Sequence, residues 1–188
     1  MKLHKGSLIN HQKKLAWIFL PKCGGNSVWD YLKARPTGWI DPVTIYFDTH
    51  IEVPDDYQVF CVGRNPRDWI ESGYRWSKQR HDYELDFKSH VKAMLYSDFK
   101  DRKVWWHCVI TPDIHVSHYP DVKIFQLEKI EELQKWLATF FTDLEECEFP
   151  HVNKTDVDHN IIWDEQTVQY ANAKMYRYNK MFNYKDIA

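Results

Sequence analysis

Two short apolar runs constrain this chain more than any other feature, because each is cut off by a polar turn and followed by a helix-like segment. Leu15-Ala-Trp-Ile-Phe-Leu20 and Val59-Phe-Cys-Val-Gly63 are apolar throughout, the pattern of strands buried on both faces. The stretch from Pro21 to Gly25 breaks the first run, and Ser27 to Ala34 reads as a helix. Asn65-Pro66 breaks the second. Asn65 suits an N-cap, Pro66 the first helical position, and Asp68 the positive end of the helix dipole. That helix is predicted to end near Lys78.

The remainder continues the alternation. Val43 to Phe47 and Val122 to Leu127 read as strands. Leu85 to Ser97, Glu128 to Phe141 and Asp164 to Phe182 carry apolar residues at helical spacing: Leu85, Val91, Met94 and Leu95; Ile130, Leu133, Leu137, Phe140 and Phe141; Val168, Ala171, Met175, Tyr178 and Phe182. Buried-type strands alternating with helices predict an α/β fold with a central parallel sheet flanked by helices. At 188 residues, with no repeat or linker-like tract, residues 1–188 are expected to form one domain. In such sheets ligands bind beyond the carboxyl ends of the strands. That rule points to the turns after Leu20 and after Gly63.

Composition removes several classes of function. The net charge is −2, so no global basic field favours nucleic acid. Hydrophobic residues at 44% and charged residues at 28% exclude wholesale disorder. Nine Trp is a high count; it suits a Trp-rich core first and an aromatic-lined cleft second. Cys23, Cys61, Cys108 and Cys147 form no CxxC pair, which argues against a zinc knuckle or disulfide framework and for reduced thiols. His115 and His118 alone are a weak metal signal, so no metal is expected. The apolar run Leu15–Leu20 is far too short to span a bilayer, and no cleavage-site pattern follows it. The expectation is a soluble, cytoplasmic chain with no membrane span.

The first junction reads as an anion cradle. Gly24 and Gly25 let backbone N–H groups approach a ligand, the helix start adds a positive dipole end, and Lys22 adds a cation. Asn26 and Ser27 add hydrogen-bonding side chains. No GxxxxGK[ST] sequence occurs, so this is not a Walker A loop. At the second junction Arg64 leaves the strand end with a fork suited to phosphate. Ser72 lies about 10 Å further along the helix at 1.5 Å per residue, on its side and not over its end. A plain glycine turn and an Arg64–Asp68 pair are the alternative readings of these two segments.

Taken together, Pro21-Lys-Cys-Gly-Gly-Asn-Ser27 and Arg64-Asn-Pro-Arg-Asp-Trp-Ile-Glu-Ser72 resemble the 5′-phosphosulfate loop and the 3′-phosphate motif of the sulfotransferase family, closest to its carbohydrate (heparan and chondroitin) branch. Leu127-Glu128, His151-Val-Asn-Lys154 and Tyr176-Arg-Tyr-Asn-Lys-Met-Phe182 are similar to further family features, so the resemblance runs from about residue 15 to 184. It implies a P-loop-like sulfotransferase fold. It implies that the donor is 3′-phosphoadenosine 5′-phosphosulfate (PAPS). It also implies that a sulfuryl group passes from the donor to an acceptor hydroxyl or amine, without a metal. The implied donor-binding residues are Lys22, Cys23, Gly24, Gly25, Asn26, Ser27, Arg64, Ser72, Asn153 and Lys154. Two positions depart from the family pattern: Asn26 stands where Thr is usual, and Asn179 where an acidic residue is common.

Lys22 is the expected catalytic cation and His50 the expected base, because His50 follows the apolar Ile45-Tyr46-Phe47 run and lies between the two phosphate motifs. A histidine titrates in the required range. Asp48 and Glu52 are its rivals. Residues 75–120 are expected to supply part of the acceptor site, with Trp76, Tyr83, Trp105 and Trp106 as stacking candidates or core residues. The acceptor is a saccharide or a small molecule. An atypical nucleotide-dependent kinase and a non-catalytic nucleotide-binding protein are the competing functions.

Overall fold

The computed structural model describes residues 6–34, 37–40, 51–80, 83–96, 110–144, 147–150 and 160–188. The chain is an α/β protein with a four-stranded, mixed, mostly parallel open sheet and six α-helices among these residues. In chain order the elements are β1 (Leu8–Asn10), β2 (Leu15–Ile18), α1 (Gly25–Lys33), β3 (Gln58–Gly63), α2 (Pro66–Arg80), α3 (Phe87–Tyr96), α4 (Pro112–Val116), β4 (Lys123–Gln126), α5 (Ile130–Ala138) and α6 (Glu165–Phe182). Two 3-10 turns, Leu127–Lys129 and Thr142–Leu144, flank α5. The strand expected at Val43–Phe47 lies outside the described residues. Among those residues no helix is long and apolar enough to cross a membrane.

The strands lie in the order β1-β2-β3-β4. β2, β3 and β4 run parallel, with Ile18 opposite Cys61 and Gly63 opposite Gln126. β1 pairs antiparallel with β2, Leu8 opposite Trp17. This strand was not foreseen. Three residues are too few to show a two-residue period, and it pairs because a short turn folds it back on β2.

The chain divides into two compact units, residues 1–64 with 115–153 and residues 65–114 with 154–188. The first holds the sheet. Its core joins Leu8, Leu15, Trp17, Phe60, Val62 and Phe125 of the strands to Val28, Tyr31 and Leu32 of α1 and to Leu133 and Leu137 of α5. Val28, Tyr31 and Leu32 share one face because three- and four-residue steps complete a helical turn. The Tyr31 hydroxyl donates to Leu144 O at 2.9 Å, so its polar end is satisfied inside the core. Trp17 and Trp39 are buried here, as dense aromatic packing requires.

The second unit is helical. Asn65 Oδ1 accepts from Arg67 N at 3.0 Å and caps α2, as its sequence predicts. Asp164 caps α6 in the same way, accepting from Thr167 N and from the Thr167 hydroxyl, both at 2.7 Å. That second bond explains a small departure from the apolar pattern. Thr167, not Val168, heads the buried stripe of α6, because its hydroxyl is satisfied locally. On α3 the buried face is Phe87, His90, Val91 and Met94.

Candidate functional site

Three parallel strands must end on the same edge of the sheet, and their next residues therefore gather there. β2 continues into Phe19 and Leu20, β3 into Arg64, and β4 into Leu127. The strand ends at the two junctions singled out in the sequence are thus neighbours in space, although Arg64 lies 42 positions after Lys22 in the chain.

The first junction is a tight turn. Cys23 N donates to Leu20 O at 3.4 Å, and Val28 N to Gly24 O at 3.1 Å opens α1. Lys22 has φ 65° and Gly24 φ 73°, both left-handed. Gly24 serves as the N-cap of α1 with no side-chain cap. Glycine is required at both positions for different reasons. At Gly24 the left-handed backbone disfavours a Cβ, which would also lie 2.9 Å from Leu127 Cδ1. At Gly25 a Cβ would lie 2.3 Å from Phe19 Cε2, so the ring fills the space a side chain would need.

The side chains of the loop divide by burial. Lys22 and Asn26 are partly exposed, whereas Ser27 is nearly buried. Cys23 is buried and close enough to Cys61 to interact with it electrically; burial, with Cys23 second, holds the Cys61 thiol well above its ordinary value. Both thiols are packed inward, and what Cys23 contributes to the loop is backbone.

The second junction supplies the contact that joins the two. Arg64 Nη1 donates to Lys22 O at 3.3 Å. A cationic fork at the end of β3 therefore reaches across to the loop after β2. Arg64 closes the first unit. Ser72, partly exposed on α2, belongs to the second, where its neighbour Glu71 accepts from Arg75 Nη2 and Trp163 Nε1, both at 2.9 Å.

His50, Asp48, Asn153, Lys154, Trp105 and Trp106 lie outside the described residues. Glu52 is exposed. Just beyond His50, the Tyr119 hydroxyl donates to Ile51 O at 2.8 Å and accepts from Ile51 N at 3.1 Å, pinning that peptide inside the first unit. Tyr83 is engaged structurally: its hydroxyl shares a 2.6 Å hydrogen bond with His90 Nδ1, and Lys78 Nζ lies over its ring. Asn179 is buried and donates to Asp186 Oδ1 at 3.1 Å, so it docks the C-terminal tail of the second unit. His115 is buried and His118 exposed. Among the described residues no group of three or more His, Cys, Asp or Glu side chains is placed to hold a metal.

Sequence reasoning missed two packing roles and one contact. Phe19 and Leu127 shape the glycine turn from outside it, and their only sequence signal is their place at the ends of apolar runs. The Arg64 bond to a main-chain carbonyl has no local signal at all, since the register of β2 on β3 creates it. Comparison of the chain with protein-family models, with curated proteins and with solved structures finds no match.

Proposed function

We propose that this protein is a PAPS-dependent sulfotransferase that moves a sulfuryl group to an acceptor hydroxyl or amine, with a carbohydrate as the favoured acceptor class. The observation that carries this reading is the Arg64 Nη1 bond to Lys22 O, which joins two cationic strand-end junctions into one neighbourhood. A donor with two separated phosphates needs that arrangement. The left-handed turn at Lys22 and Gly24, opening a helix whose N-cap makes no side-chain hydrogen bond, supports it further. Such a turn directs main-chain N–H groups toward an anion.

In this reading the acceptor oxygen attacks sulfur in line as the bond from sulfur to the 5′-phosphate breaks. Lys22 and the loop N–H groups stabilise the charge that grows on the departing phosphate, a contribution of roughly 3–4 kcal/mol per well-placed donor. Arg64 grips the 3′-phosphate, and by the resemblance Ser72 assists it. His50 takes the acceptor proton, and the products are the sulfated acceptor and 3′,5′-ADP.

The decisive test is selective stabilisation. At 100 times its dissociation constant, 3′,5′-ADP adds ~2.7 kcal/mol, or roughly 5–10 °C in Tm for a chain of this size, while ADP adds far less. Equal stabilisation by ADP favours the kinase reading, and no shift with either ligand overturns a nucleotide function. With labelled PAPS and a panel of saccharides, phenols and lipids, His50→Ala is expected to lower turnover about 100- to 10,000-fold with donor affinity preserved. If Glu52→Gln or Asp48→Asn does this and His50→Ala does not, the base is a carboxylate.

A further inference from the structure

Two lysines in the sheet-bearing unit adopt the left-handed conformation, Lys14 at φ 52° and Lys22 at φ 65°. Lys14 precedes β2 and Lys22 the start of α1, and each has its carbonyl held from β3 or the residue just past it. Lys14 O accepts from Gln58 N at 2.8 Å, a main-chain bond at the start of β3. Lys22 O accepts from Arg64 Nη1 at 3.3 Å, a side-chain bond just past its end. Left-handed backbone is unfavourable for a residue with a Cβ and persists only where its surroundings hold it. The two holds differ in kind. A main-chain donor within a sheet is fixed, whereas a guanidinium is mobile, charged and able to bind an anion.

We infer that Arg64 is a positioning residue for Lys22, coupling the anion bound at the end of β3 to the shape of the loop after β2. A guanidinium carries five N–H donors in a fork, so one side chain serves a carbonyl and a phosphate together. A phosphate that immobilises the fork also tightens its hold on the Lys22 peptide. By linkage, a ligand that orders the Lys22 loop favours the bound orientation of Arg64 to the same degree. This inference rests on the proposed donor only for the identity of the anion. It assigns Arg64 a role in the free protein that a simple phosphate ligand lacks, and it separates Arg64 from Ser72.

Amide hydrogen exchange in the free protein tests it without any ligand. Arg64→Ala is expected to speed exchange at Cys23, whose N–H donates to Leu20 O, about 10-fold or more, the scale of a lost charge-assisted bond. The amides of Phe60 and Cys61 within β3 serve as the control for general loosening and are expected to stay unchanged. Arg64→Lys retains one charged donor for the carbonyl but no fork, so it should keep the loop protected while losing 3′,5′-ADP affinity; if Arg64→Ala does not fold, Arg64→Met, which keeps the apolar stem and has no side-chain N–H donor, is expected to speed the same exchange. Titration with 5′-AMP supplies a second readout. Arg64→Ala should weaken this ligand about 5- to 10-fold although it lacks a 3′-phosphate, whereas Ser72→Ala should not. Unchanged loop exchange in Arg64→Ala, or in Arg64→Met where the alanine variant does not fold, overturns the inference. A parent protein that ignores 3′,5′-ADP overturns the proposed donor instead, and the exchange result still decides the brace.

Discussion

The sheet-bearing unit and the helical unit both bury apolar side chains but are built from different elements. In the first, Leu8, Leu15, Trp17, Phe60 and Val62 pack against Val28, Leu32, Leu133 and Leu137 in a core of apolar and aromatic side chains. In the second, Trp69 and Ile70 of α2, Phe87, Val91 and Met94 of α3, and Ala171, Met175 and Phe182 of α6 are buried, and polar and aromatic contacts tie the helices together around them. Glu71 accepts from Arg67, Arg75 and Trp163, Lys88 pairs with Asp164 at 2.9 Å, and Tyr83 bonds His90. A close-packed apolar core resists distortion, so the first unit can keep a left-handed lysine and a glycine turn at its edge. Ion pairs at the surface are weak and easily screened, so the ion pairs that join the helices of the second unit should yield to salt and acid before its buried apolar contacts do. The proposed site lies at the strand ends of the sheet-bearing unit.

Four substitutions test this contrast, taken in falling order of effect. Lys22→Ala should lower turnover at least ~100-fold while 3′,5′-ADP binding weakens far less, because its ammonium acts on the transferring group. Steady-state kinetics beside a binding titration checks this, and unchanged turnover removes Lys22 from the mechanism. Its Tm should barely move, which separates function from framework in the sheet unit.

Gly25→Ala should cost roughly 1–3 kcal/mol of stability, as overpacking does, because the new methyl meets the Phe19 ring. Denaturant unfolding measures it. The pairing of Gly25→Ala with Phe19→Leu should recover part of the loss, and no recovery would place the strain elsewhere.

Glu71→Ala should cost about 1–2 kcal/mol, since it strips acceptors from Trp163 Nε1 and from two arginines in the helical unit. Peptide-level hydrogen exchange should show the loss in α2 and near Trp163, not in β2 or β3. Spread of the effect into the sheet would break the contrast between the units.

Asp164→Ala should have the smallest effect, a modest fall in Tm from the lost cap of α6. Its pH dependence is the sharper readout. Hydrogen bonds from Lys88 and Thr167 hold the Asp164 carboxyl down at about 2. A depressed folded value means that the contribution is present above the ordinary carboxylate range near 4 and is lost as pH falls through about 2. The Tm gap between parent and Asp164→Ala should therefore narrow over that window. A gap that stays constant down to pH 2 would show that the cap does not depend on the charge.

Much of this was legible in the chain before any coordinates. The apolar runs at Leu15 and Val59, the cap at Asn65, the glycine turn after Lys22 and the stripes on α5 and α6 are local patterns. Backbone geometry converts local patterns directly into strands, turns and helices. The same logic locates the candidate site in outline, since parallel strands must end on one edge. Elements without a period, the three-residue β1 and the five-residue α4, left no such trace.

What the sequence by itself determined is the order of elements and the residue types at the two strand ends. What only the tertiary structure decided is which of those residues meet. Cys23 turns inward toward Cys61, Phe19 and Leu127 close around the glycines, and Arg64 reaches a carbonyl 42 residues away. Each of these depends on the register of β2 against β3 and β4, a property of pairs of strands that neither strand encodes alone.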